Sequence, residues 1–224
     1  MEEKNTGQTD PSRRKVEFFG RIMANVSHEF NNVITVISEL AGLLKDLSLM
    51  AQKGREVTPE KIESIADNIS KQVARGKHLV SHMNRFSHST DERCAQVNPC
   101  GIVENMQVLT DRLFKNRQSN IVFRAPEEMF SLNTDPFELR RILFLCLDLF
   151  LSTSSSEVSI ILNRSKNVGE LEFQISGEVE NISESFMEHI EELKEQAGAS
   201  DCKFFIEQSG KQVLFRLVLP SSCN

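Results

Sequence analysis

The chain has no tryptophan and no tyrosine among its 224 residues. Any ring-stacking recognition would fall to phenylalanine alone. Its ten glycines stand at 7, 20, 42, 54, 76, 101, 169, 177, 198 and 210, none within seven residues of another. A loop that cradles phosphate with successive backbone N–H groups needs clustered glycine, so no such loop is encoded. Positive charge is also short. Lys and Arg number 26 against 32 Asp and Glu, a net charge of -6, which argues against a nucleic-acid binder. The most apolar run, residues 142–151, is broken by Asp148 and reaches about half of the ~20 residues a membrane helix needs. The five cysteines, Cys94, Cys100, Cys146, Cys202 and Cys223, contain no CxxC pair. That pattern is expected of reduced thiols in a cytoplasmic protein. The opening MEEKNTGQTDPSRRK has no apolar core of a secretory signal.

What is present is helical periodicity. Residues 1–14 are polar and expected to be disordered. From 16 to 50 the apolar positions are Phe19, Ile22, Val26, Phe30, Val33, Ile37, Leu40, Leu44 and Leu47. Steps of three and four make a heptad with one extra step of four at Val26, which locally unwinds a supercoil next to His28. Gly54 punctuates the break at 51–57. Thr58, Pro59 and Glu60 then supply an N-cap, a first-turn proline and a favourable charge for a second helix to about Phe86. Two long helices on a short loop form an antiparallel hairpin. Phe18, Met23, Ile34, Val36 and Leu43 add apolar surface that two helices cannot cover, so a second copy is expected, giving a dimeric four-helix bundle over 15–89.

After a polar linker at 87–98 the pattern changes. Helices are expected at 99–115, 136–151 and 183–197, and strands at 120–124, 157–163, 170–176, 202–208 and 212–219. The fold class is therefore α+β, with a second domain over 96–224 built as a layered α/β sandwich.

On the first helix His28 shares one stripe with Arg21, Asn25, Asn32, Thr35 and Glu39, at offsets of -7, -3, +4, +7 and +11. All are polar, so His28 is expected to face outward. A neutral imidazole is a competent nucleophile near neutral pH. Glu29 could accept a hydrogen bond from one ring nitrogen and sharpen the other. From position alone, a surface histidine in a solvated stripe is the ordinary reading. His78 and His82 lie one helical turn apart, a metal-binding spacing without an obvious third ligand; no metal is expected.

The string around His28, with SHEFNN at 27–32, closely resembles the phosphoacceptor box of two-component histidine kinases. The resemblance implies that His28 is the phosphoacceptor, that Glu29 is its acid/base neighbour, and that Asn32 positions water when a bound regulator is dephosphorylated. It also implies receiver domains of response regulators as partners, with Arg21, Asn25, Thr35 and Glu39 as docking candidates. The segment from Asp135 resembles the start of the family's N-box. Aligned on Asp135, Pro136 and Leu139, the two family asparagines become Leu145 and Leu149. Leucine has no oxygen for a hard cation. FQISGEV at 173–179 is similar to the strand entering the family's adenine-binding box, but its aspartate becomes Gly177 and its glycine Val179. The glycine-rich lid is not recognisable.

The resemblance therefore implies a degenerate ATPase-like domain behind a phosphoacceptor hairpin, as in dimeric histidine phosphotransferases of bacterial phosphorelays. The expected function is phosphoryl transfer between receiver domains through His28. No ATP is expected to be used, and no cofactor is expected apart from Mg²⁺ on the partner receiver. Neither nucleic acid nor membrane is expected as a partner. The alternatives are a pseudokinase that binds or dephosphorylates a regulator, an active kinase with a divergent ATP site, and a coiled-coil adaptor.

Overall fold

The computed structural model describes residues 10–126, 131–153, 157–165, 170–180, 182–200 and 202–220. The expected disorder of 1–14 therefore lies outside the described residues for 1–9. Residues 11–14 are helical, because Asp10 and Pro11 form a start signal that residue polarity conceals. Helix α1 spans Pro11–Gln52, and the Asp10 side chain accepts from the Ser12 backbone N at 3.0 Å. Helix α2, Pro59–Ser87, begins at Thr58 and Pro59 as the sequence predicts, and a 3-10 turn over His88–Thr90 follows. The two helices run antiparallel on the loop that Gly54 turns at φ 74°, a conformation without penalty for glycine.

The second domain opens with a pairing the sequence hides. Strand β1, Ala95–Val97, lies antiparallel to β3, Leu132–Thr134, across the domain's entrance. Helix α3, Pro99–Asn116, is capped by Asn98, and α4, Pro136–Ser152, by Asp135, whose side chains accept from the first-turn N–H groups. Helix α5, Glu184–Gly198, starts at Ser183. The main sheet holds β2 (Asn120–Arg124), β4 (Glu157–Arg164), β5 (Glu170–Glu178), β6 (Lys203–Ser209) and β7 (Gln212–Pro220) in the order β2-β4-β5-β7-β6. Among the described residues only the β2–β4 pair of this sheet is parallel. Alternation places Val158, Ile160, Leu162, Leu171, Phe173, Ile175, Val213, Phe215 and Leu217 on one buried face. Helix α4 covers them with Leu143, Cys146, Leu147 and Phe150 in a single core. The fold is thus α+β with a mixed sheet, and among the described residues no helix is long and apolar enough to cross a membrane.

A second cluster decides how the parts meet. Phe18, Ile22 and Val26 of α1 and Phe86 of α2 pack with Met106 and Leu109 of α3 and with Phe137 and Phe144 of α4. The Phe18 ring lies 5.2–5.5 Å from the rings of Phe86, Phe137 and Phe144. The base of the hairpin is therefore seated on the second domain. Farther along the hairpin, Val33, Leu47, Ile65 and Leu79 are buried while Phe30, Ile34, Leu43, Leu49, Ile62, Val73 and Val80 are exposed. Cys100, Cys146 and Cys202 are buried free thiols, and burial pushes Cys202 up to about 12. Cys94, in the exposed approach to β1, is disulfide-bonded, so the expectation of reduced thiols throughout does not hold.

Candidate functional site

His28 stands exposed on α1, two residues beyond the last α1 side chain of the aromatic cluster, Val26. Ser27 and Asn32 are exposed beside it. Helical rotation turns the next residue away. Glu29 is only 9% exposed, and its carboxylate is held from three sides. Arg75 of α2 donates to Oε2 at 2.5 Å, Asn32 Nδ2 donates to Oε1 at 3.3 Å, and Arg112 of α3 lies at 4.0 Å. No hydrogen bond joins Glu29 to His28 among the described residues. Gly76 of α2 faces α1 here: a Cβ would stand in van der Waals contact with Val33 Cγ1, at 3.4 Å, and with the Phe30 ring, at 3.7 Å.

The rest of the stripe divides. Thr35 and Glu39 are exposed. Asn25 is 4% exposed and donates its Nδ2 to the Leu109 carbonyl of α3. Arg21 makes a two-pronged ion pair with Asp148 of α4, at 2.7 and 2.6 Å, with its guanidinium 4.8 Å from the Phe144 ring centroid. The bond to Asp148 raises the Arg21 pKa against the opposing effect of burial. Two polar residues that the periodicity places on an outward stripe thus dock the second domain onto α1. The one sequence signal for this was Asp148 itself, a carboxylate interrupting the apolar run of α4. Arg75 and Arg112 carried no signal.

In the second domain Leu149 is buried in the main core and Leu145 packs against it. Gly177 pairs with Val158 and Val213 in the middle of the sheet, and Val179 is 2% exposed. The side chains at these four positions carry no oxygen ligand. A cavity of about 500 Å³ lies at the other end of the sheet, lined by Arg14, Lys15, Glu138, Arg141, Ser200 and Pro220. Glu138 stays below the usual carboxylate range there: burial raises it, but Lys15 and Arg141 more than offset that. Among the described residues no three potential ligands converge as a metal site. His78 and His82 bring their Nε2 atoms within 3.2 Å of each other.

No family model and no curated protein matches the chain. Solved structures do resemble it in outline. The catalytic domain of histidine kinase ThkA is 12% identical, covering 58% of this chain and 97% of its own, with a TM-score of 0.49. Acinetobacter baumannii histidine kinase AdeS is 12% identical over 88% of this chain and 98% of its own, TM-score 0.49. ThkA in complex with response regulator protein TrrA is 17% identical over 95% of this chain and 64% of its own, TM-score 0.48. None of these three superpositions reaches a TM-score of 0.5.

Proposed function

We propose that the chain is a histidine phosphotransfer protein that relays a phosphoryl group between response-regulator receiver domains through His28. The observation that carries this reading is an exposed imidazole, set in an acceptor-like SHEFNN string, just beyond the part of α1 that packs on the second domain. A neutral ring nitrogen of His28 attacks the phosphorus of a receiver's phosphoaspartate. The N–P bond forms as the acyl P–O bond breaks, and the aspartate leaves as carboxylate. Return to a second receiver reverses the step. Both phosphoryl forms are high in energy, so the exchange needs no ATP. Its chief requirement is alignment, and the receiver brings its own Mg²⁺.

The second domain fits this division of labour. With Leu145, Leu149, Gly177 and Val179 where the resemblance would place polar ligands and the adenine-binding box, it serves as a brace and docking wall rather than a nucleotide site. The exposed apolar line of the hairpin favours a homodimer through a four-helix bundle, since contiguous exposed apolar surface of this kind marks an interface. Thr35 and Glu39 are the stripe residues free to meet a receiver; Arg21 and Asn25 act by holding α1 in place. Glu29 can take its acid/base part only when Arg75 releases it. Asn32 supports a second reading, in which the protein dephosphorylates a bound regulator. Its amide is exposed one turn from His28 and oriented by Glu29, as water positioning requires.

The test is to incubate the protein with phosphorylated receiver domains. Acid-labile label moving onto this chain, and from it to a second receiver, is the expected result. Release of free phosphate without labelling of this chain would favour the second reading instead.

A further inference from the structure

We propose that the hydrogen-bonded chain Arg140–Asn105–His82–His78 is a proton-operated latch, and that protonating His82 releases the second domain from the base of the hairpin. The proposal is independent of phosphotransfer. The chain joins three helices. Arg140 of α4 donates Nε to Asn105 Oδ1 of α3 at 3.1 Å, and Nη1 to the Pro136 carbonyl at 2.7 Å. Asn105 Nδ2 donates to the His82 carbonyl of α2 at 2.9 Å and stands 3.1 Å from His82 Nδ1. His82 Nε2 faces His78 Nε2. Asn105 is fully buried, and His82 and Arg140 are each 7% exposed.

Donor and acceptor rules fix every orientation in this chain. Burial lowers Arg140 only to about 10, so it remains a cation near neutrality, and a guanidinium can only donate. The Asn105 oxygen must therefore face Arg140, and its nitrogen must face His82. An amide nitrogen also only donates, so His82 Nδ1 must be bare. His82 is then the neutral Nε2–H tautomer, donating to His78. A second proton on His82 would set a buried N–H against another N–H. Turning the Asn105 amide only moves the same conflict onto Arg140. Unsatisfied buried donors of this kind are costly.

The surroundings reinforce the lock. The charged or titratable groups about His82 are His78 and Arg85 on its own helix and Arg140 beyond Asn105. No carboxylate is bonded to it among the described residues. Burial first, then His78 and Arg85, hold the His82 pKa below the usual imidazole value. The same lock disfavours a metal at the His78–His82 pair, because ligation through Nε2 would require a proton on Nδ1. Asn105 adjoins Met106, and His82 lies one turn before Phe86, so the chain borders the aromatic cluster that seats the hairpin.

The direction with pH follows. Above the ordinary imidazole pKa of ~6.5 both the docked and the released forms are neutral, and docking is at full strength. As pH falls through that value toward the lower pKa of docked His82, the released form takes up a proton the docked form refuses. Docking then weakens by up to about tenfold per pH unit, the limit for one coupled proton. Amide hydrogen exchange on the full-length protein from pH 7.5 to 5.5 tests this, each rate being divided by the intrinsic rate at that pH. Protection in the first half of α1, the end of α2 and α3 should fall by up to that factor while β4, β5 and β7 keep theirs. His82→Gln can accept from Asn105 but cannot titrate, so its profile should be flat. Arg140→Met frees Asn105 to turn its oxygen to a protonated His82, and should also flatten the profile. If His82→Gln fails to fold, Arg140→Met and the imidazole NMR titration of the unaltered protein decide. Constant protection in the unaltered protein, a His82 pKa at or above the ordinary value, or an equal loss in His82→Gln overturns the proposal.

Discussion

At the scale of single residues, His28, the proposed nucleophile, stands exposed on the same helix as the buried Asn25 and Glu29. His28→Gln keeps size and polarity on an exposed stripe, so folding should be unaffected. An amide is not a usable nucleophile, so labelling by a phosphorylated receiver should disappear. A labelled His28→Gln protein would place the acceptor elsewhere. Asn32→Ala should leave acceptance largely intact and reduce any release of free phosphate, by removing the group that orients water. Sequence periodicity places His28 outward, and the structure agrees, because exposure of a polar residue needs no partner. It does not foresee the burial of Asn25 and Glu29. Their burial depends on a carbonyl 84 residues away and on arginines of two other helices, and no local pattern encodes such distant partners.

At the scale of elements, α1 is held to the second domain by the aromatic cluster and by the Arg21–Asp148 pair. Asp148→Asn keeps the shape but removes the charge. The pair is partly exposed, at 49% and 31% of its side chains, so the loss should be roughly 0.5–1 kcal/mol. A fall in melting temperature of about 1–4 °C is the corresponding shift for a chain of this size. An unchanged melting curve would make the pair a surface contact only. Element boundaries were legible where a start signal adjoined an apolar-periodic run: Pro59 after Thr58, Pro99 after Asn98, and Pro136 after Asp135. The start of α1 was missed because Asp10 and Pro11 sit in a charged run with no apolar residue before Val16. Strands β1 and β3 were missed for another reason. Each is three residues long, too short to alternate, and each exists only because the other pairs with it.

At the scale of the whole molecule, the exposed line from Phe30 to Leu49 on α1, with Ile62, Val73 and Val80 on α2, calls for a covering surface. Light scattering at micromolar concentration should give twice the chain mass; the mass of one chain would leave that line without its second copy. Millimolar Mg-ATP should leave the melting temperature unchanged, since a ligand of the native state raises it by mass action. A clear rise would mean that a nucleotide finds oxygens and N–H groups other than those at 145, 149, 177 and 179.

Helix α1 keeps company with two different bodies along its length. As far as Val26 its buried apolar side chains belong to the cluster shared with the second domain; the buried Val33 and Leu47 farther along do not. At ~1.5 Å per residue its 42 residues make a rod about 63 Å long, with its far end about 36 Å beyond His28. A rod clamped at one end moves least near the clamp and most at its tip. His28 therefore sits at the pivot. Any tilt of the hairpin sweeps the loop around Gly54 through a wide arc while the imidazole holds nearly still. A partner gripping only the neighbourhood of His28 meets the same target at every tilt, whereas one reaching toward the tip would register the angle of the lever.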